Sequence, residues 1–315
     1  MELDLLEEKQ IFGKNRLSLF DKYGTKAAIT DFSILLGGYV LPDENNLESL
    51  IDRWWTMGQK SYTNDGNTRK DRTGWWWTKS SDGDNDARVV YPNGRRSCHN
   101  VNERDGGARP ALPYSSIQSI SSNTVRGANG IKEIKYGEYP QTIVGEDYSR
   151  ELERAYNNRN LRTTGKNYTT DSVIYQDTNT SFRARAHTEY EYCDSKYIRF
   201  VCDYDGNGKV LSDGRTINIG EIFWVKVEPI TWLVDEEKDI AITKKIIVSG
   251  VQFNNKRNYK GYFKDTNMCK FMNTYLIKDM FDNVSINKEK DASKEFVSID
   301  NKIKILRRRI DDIRK

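Results

Sequence analysis

Three consecutive tryptophans, Trp75-Trp76-Trp77, constrain this chain more than any other feature. In an extended strand, Trp75 and Trp77 share one face and Trp76 takes the other. One face has to be core. The other is either core as well or an exposed platform that stacks on sugars or anchors a protein partner. Trp54 and Trp55 add to the aromatic group. Rings matter here because the chain is otherwise polar, 37% apolar and 30% charged over 315 residues, with 18 Tyr, 11 Phe and 7 Trp. Disordered chains lack such rings, so this one is expected to fold. No apolar run approaches the length of about 18 residues that predicts a membrane span.

Periodicity divides the chain. Residues 1–60 read as a helical region. Leu3, Leu6 and Ile11 mark one short helix, Leu17 to Tyr23 another, and Thr30 caps a third. Asn46 precedes Leu47, Leu50, Ile51, Trp54 and Trp55, one apolar helix face. Residues 61–114 change to short strands with turns between them. Arg88-Val-Val-Tyr91 is one strand, Asn93-Gly94 suits a hairpin, and Gly106-Gly107 precedes Ala108-Arg-Pro-Ala-Leu112. Residues 115–130 read as a connector. Residues 131–282 mix strands at 131–136, 197–202, 222–227, 230–234 and 240–248 with a helix at 146–160 and one capped by Thr266. The stretch 160–190 is polar and gives no clear pattern. Residues 283–315 are a linker and a final helix.

Two segments resemble halves of one bacterial family, the domain of unknown function 6273. Arg72-Thr-Gly-Trp-Trp-Trp-Thr-Lys79, Asn85-Asp-Ala-Arg-Val-Val90 and Gly107-Ala-Arg-Pro-Ala-Leu112 resemble the family's closing half. Tyr136-Gly-Glu-Tyr-Pro-Gln141, Glu228-Pro-Ile-Thr-Trp-Leu-Val234, Phe253-Asn254 and Phe271-Met-Asn-Thr-Tyr-Leu276 resemble its opening half. The order is swapped. Either the domain is circularly permuted, with both halves in one sheet, or two partial repeats form separate domains. The first is preferred, since neither half alone has many strands. More distantly, the closing half is similar to the C-type-lectin-like fold of formylglycine-generating enzymes and phage variable receptor-binding proteins. The expected fold is α+β, with an irregular antiparallel sheet and peripheral helices, which the resemblance makes C-type-lectin-like, and with a C-terminal coiled-coil-like helix read from the spacing of the tail. The resemblance implies a binding scaffold more than an oxidase, because Cys98 stands alone where the enzyme branch carries a copper-binding cysteine pair.

Chemistry-bearing groups are sparse. Asp82, Asp84 and Asp86 alternate in a Gly-containing loop, the spacing of a Ca²⁺ site or of a solvated turn. Asp203-Tyr-Asp-Gly-Asn-Gly208 matches the first half of an EF-hand loop, but the twelfth place is Gly214, so a hairpin turn is the preferred reading. Arg109 is expected to pair with a carboxylate, with anion binding as the alternative. Cys98 and His99 are adjacent, so in a strand they face opposite ways, a poor geometry for a nucleophile and its base. Cys98, Cys193, Cys202 and Cys269 form no C-x-x-C, and the acidic start has no apolar stretch, which predicts a cytoplasmic chain with reduced thiols.

The tail carries a heptad seam. Phe296, Ile299, Ile303, Leu306, Ile310 and Ile313 are spaced alternately by three and four residues. They are expected to bind another chain, a second copy or an acidic partner helix, rather than dock on the chain's own body. Lys plus Arg is 50 and Asp plus Glu is 46; residues 294–315 hold 8 and 4 of these, so the rest balances at 42 and 42. A neutral body argues against an extended nucleic-acid surface outside the basic tail. The expected function is non-enzymatic recognition of a protein or glycan, with Trp75, Trp76, Trp77, Arg88 and Arg109 as ligand-binding residues. A phage or mobile-element setting fits the resemblance, and a counter-defence or inhibitor role fits a compact cytoplasmic binder. An enzyme of the sulfatase-modifying-factor-like fold or a hydrolase is the rival class. No cofactor is expected beyond Ca²⁺ at the aspartate loop.

Overall fold

Strands carry most of the architecture. A computed structural model describes residues 1–40, 72–118, 124–127, 130–171, 184–206, 209–254 and 262–281. Three short helices open the chain: α1 (Glu8–Ile11), α2 (Ser18–Tyr23) and α3 (Asp31–Leu35). Thr30 caps α3, its Oγ1 accepting from Ser33 N at 3.2 Å. The start of α2 is capped from afar, Asp235 accepting from Ser18 N at 2.8 Å and from Ser18 Oγ at 3.0 Å. β1 (Ala27–Ala28) pairs with β2 (Thr73–Gly74). β3 (Trp76–Ser81), β4 (Asp86–Val90) and β5 (Arg96–Asn100) form a three-stranded meander.

The larger sheet has eight strands. They are β6 (Ala111–Pro113), β7 (Thr124–Arg126), β8 (Lys132–Ile143), β9 (Arg162–Asp171), β10 (Ala184–Tyr192), β11 (Ser195–Val201), β12 (Ile222–Asp235) and β13 (Ile240–Thr243). Every strand pair is antiparallel. β12 is the spine. β8 runs along one edge of it, while β11 takes residues 222–226 and β13 takes residues 232–235 of the other. The two strands expected at 222–227 and 230–234 are thus one strand. The pairing shifts register around Pro229, where a bulge accommodates a residue without an N–H. The polar stretch 160–190 supplies the long strands β9 and β10.

Helices flank this sheet. α4 (Ser115–Gln118) and β7 fall in the expected connector. α5 (Glu146–Asn157) lies on the face that carries Trp224, and α3 brings Phe32 against Phe200 on the opposite face. α6 (Asn267–Phe271), capped by Thr266, continues through a wider π turn, Met272–Leu276, into α7 (Ile277–Phe281). Among the described residues no helix is long and apolar enough to cross a membrane. The α+β class with antiparallel sheets is as expected. Residues 1–280 form one compact unit. The expected helix after Asn46 and the heptad tail with Phe296, Ile299, Ile303, Leu306, Ile310 and Ile313 lie outside the described residues.

A small-residue segment stitches the two sheets together. Gly107 N donates to Trp75 O and Trp77 N to Gly107 O, both at 3.0 Å. On its other side Ala108 N donates to Val248 O at 2.8 Å, Thr243 N donates to Pro110 O at 3.0 Å, and β6 pairs with β13. Residues 72–112 and 222–248 therefore share one core. Glycine is required for this approach. A Cβ on Gly106 would stand 2.3 Å from Trp75 Cη2 and 2.4 Å from Trp77 Nε1, and one on Gly107 would stand 2.1 Å from Ile246 Cγ2. Gly106→Ala is expected to cost about 2 kcal/mol through overpacking against rigid rings. Urea midpoints of the two chains check this, and an unchanged midpoint would mean the contact is loose.

Candidate functional site

Several expected site residues are structural. Trp75, Trp76 and Trp77 are all buried, at 1%, 0% and 0% exposure, so neither face of the strand is a platform. Trp75 meets Trp77 edge-on at 4.8 Å and stacks on His99 at 4.3 Å, while Trp76 stacks on Phe20. The cause is the cover supplied by α2 and by the glycine segment. Arg109 is fully buried and, contrary to expectation, has no carboxylate partner among the described residues. Its guanidinium lies 4.7 Å from the Trp76 ring centroid and donates through Nε to Thr243 O at 3.0 Å. Burial pushes its pKa down to about 10. Arg88 is half-buried and bridges Asp82 at 2.8 Å and Glu8 at 3.5 Å.

The aspartate loop is a turn. Asp82 is held by Arg88 and its N–H donates to Asp86 O at 2.8 Å, while Asp84 is exposed. Among the described residues no group of three or more His, Cys, Asp or Glu side chains could hold a metal ion, so Asp82, Asp84 and Asp86 do not converge on one. Asp203 is tied to Arg185 at 3.0 Å. Cys98 and His99 point to opposite faces of β5, the thiol toward Asp82 and the imidazole onto Trp75. His187 is a core group, bonded to Thr170 Oγ1 at 2.8 Å and stacked on Phe200, and burial pushes its pKa down to about 3.

A different surface gathers the accessible rings. The spacing of Tyr148, Leu152, Ala155 and Tyr156 puts them on one face of α5, which lies on Trp224. Beneath it, Tyr190 and Tyr192 of β10, Tyr197 and Arg199 of β11, and Trp224 of β12 share one face of the sheet, because cross-strand partners do. Tyr156 meets Tyr190 at 5.6 Å and Trp224 at 6.0 Å, both edge-on. Past the end of α5 the rings open into a groove of about 380 Å³ lined by Tyr156, Asn157, Arg159, Leu161 and Tyr190.

Electrostatics leave this groove cationic. Glu153 accepts from Arg199 Nε at 3.0 Å, from Arg199 NH2 at 2.8 Å and from Trp224 Nε1 at 3.0 Å. The Arg199 bond is the main reason its pKa falls below the usual value. Glu191 is paired with Arg162, and Glu151 accepts from Tyr192 OH at 2.8 Å. Arg154 and Arg159 are exposed and have no carboxylate partner among the described residues. Arg159 is also strained. It follows the C-cap of α5 at φ 57°, and the bonds Arg159 N to Tyr156 O and Asn160 N to Ala155 O close the helix end that glycine ordinarily makes. No family model, no curated protein and no solved structure matches this chain.

The helical half of this site was readable from its spacing. Tyr190 and Tyr192 were not singled out, although their alternation with Glu189 and Glu191 is a period-2 signal. Because the folded pKa of Glu153 is depressed, its contribution is present above the usual carboxylate value and is lost as pH falls through the depressed one. Glu153→Gln is expected to flatten the acid limb of the stability profile. Urea titrations across that range check it. Parallel acid limbs in both chains would show that the pair does not hold α5 to the sheet.

Proposed function

We propose that this chain is a non-enzymatic recognition protein whose contact surface is the tyrosine-lined groove at the end of α5. The partner is a protein presenting an acidic segment with an apolar side chain. The observation that carries the reading is Arg159, an exposed guanidinium with no carboxylate partner among the described residues, held at a left-handed position beside Tyr156 and Tyr190. Strain of about 1 kcal/mol at such a position persists where surrounding structure enforces it, and it clusters at functional sites. Tyrosine and arginine are the residue types that carry most binding energy at protein interfaces. Arg154 on the last turn of α5 adds a second cation with no carboxylate partner among the described residues.

Within this reading the scaffold is the lectin-like one, with its two family-like halves joined in one domain. The protein acts in the cytoplasm, the resemblance favours a phage or mobile-element origin, and a compact binder suits a counter-defence role. The burial of Trp75, Trp76 and Trp77 moves the proposed surface away from them.

Arg159→Gly separates function from stability. Glycine relieves the left-handed strain, so the variant is expected to be more stable by about 0.5–1 kcal/mol. It is also expected to retain less partner. The test is quantitative capture from a lysate of the source cell by the wild-type chain, by Arg159→Gly and by Arg154→Ser/Arg159→Gly. Progressive loss of one protein supports the reading. Equal retention by all three chains, or loss to free glycan instead of to an acidic peptide, contradicts it.

A further inference from the structure

A second cavity, sharing no residue with the groove, lies beside the gap in the β12 edge. β11 ends its pairing at Lys226 and β13 begins its own at Trp232. Between them a cavity of about 220 Å³ opens, with Lys135, Gln141, Glu228, Lys244 and Lys245 among its lining. The lining thus includes three lysines and one glutamate. Lys244 is held by Glu133 at 2.9 Å and 3.0 Å. Lys135 and Lys245 are exposed and have no carboxylate partner among the described residues. Two cations are left for a ligand, in a space too small for a drug-sized molecule.

The acceptor side is equally defined. Gln141 is 7% exposed. Its Nε2 donates to Glu228 O at 3.0 Å and Pro229 O at 3.1 Å, so the amide orientation is fixed. Its Oε1 accepts no hydrogen bond from the described residues, which leaves it open to a donor on a ligand. Glu228 Oε2 accepts from Thr142 Oγ1 at 2.7 Å, and a carboxylate has capacity for further donors. A ligand that satisfies both sides brings two negative charges to the lysines and hydroxyl donors to Gln141 and Glu228.

We propose that this cavity binds a small hydroxylated phosphate monoester, a polyol phosphate in size and charge. Calorimetry on the full chain tests this with three probes: glycerol 3-phosphate, inorganic phosphate and glycerol. Glycerol 3-phosphate is expected to bind, inorganic phosphate to bind more weakly, and glycerol to give no heat. In Lys135→Ser/Lys245→Ser, both positions being exposed, the fold is expected to be intact and the affinity for glycerol 3-phosphate about tenfold lower. Raised salt is expected to weaken binding to the wild-type chain. No heat from glycerol 3-phosphate, or equal affinity in the double variant, overturns the proposal. Inorganic phosphate binding as tightly as glycerol 3-phosphate overturns the assignment of the hydroxyl contacts to Gln141 and Glu228.

Discussion

Arg109 carries a buried positive charge between two sheets with no counter-ion among the described residues, and the surrounding fold has to make that tolerable. The Trp76 ring supplies one face of cover and the carbonyls of Thr243 and Lys244 supply acceptors. A cation on an indole is worth about 2 kcal/mol or more once water is removed. That gain exists only while the three-stranded sheet, the segment Gly106 to Pro113 and β13 are all in place. One residue thus couples elements far apart in sequence. The two glycines before it do the same sterically, since a side chain at either would push the sheets apart.

Other buried polar groups distribute the same logic. Asp31 is 2% exposed and accepts from Arg72 NH1, Ser212 N, Ser212 Oγ and Ile143 N, so α3, β8 and the loop at 212 meet on one carboxylate. Breaking such a buried pair by removing one partner costs about 3–5 kcal/mol, because the remaining group stays desolvated. Asp235 at the end of β12 holds the start of α2. These ties leave the tyrosine face, which rests on β10, β11 and β12, on a rigid base. A rigid platform with half-exposed rings limits the entropy lost on binding.

Much of the framework was legible because it follows from local rules. Thr30 and Thr266 read as caps and are caps. Tyr148, Leu152, Ala155 and Tyr156 read as one helix face and pack as one. The Asn93-Gly94 hairpin joins β4 to β5, with Gly94 at φ 83°. What escaped was set by tertiary context. β9 and β10 are polar because Arg162, Thr163 and Thr164 are exposed, while the inward members, Tyr168, His187 and Glu189, are polar groups satisfied by one another or by neighbours. No hydrophobic alternation marks such strands. The tryptophan run could not declare its second face, because the cover comes from Phe20 and Arg109. Arg109 itself suggested a carboxylate, yet carbonyls and an indole serve, and no spacing rule encodes that.

Joined in this way, the three-stranded sheet and the eight-stranded sheet are expected to open only together. Native-state hydrogen exchange on the full chain tests this most directly, with Arg109→Ala beside the wild-type chain. The account predicts that the slowest amides of β3 and β4 match those of β12 and β13 in opening free energy and in denaturant dependence. It also predicts that Arg109→Ala lowers both sets by the same amount. If β3 and β4 open separately at lower free energy, and the variant affects only them, the account is contradicted.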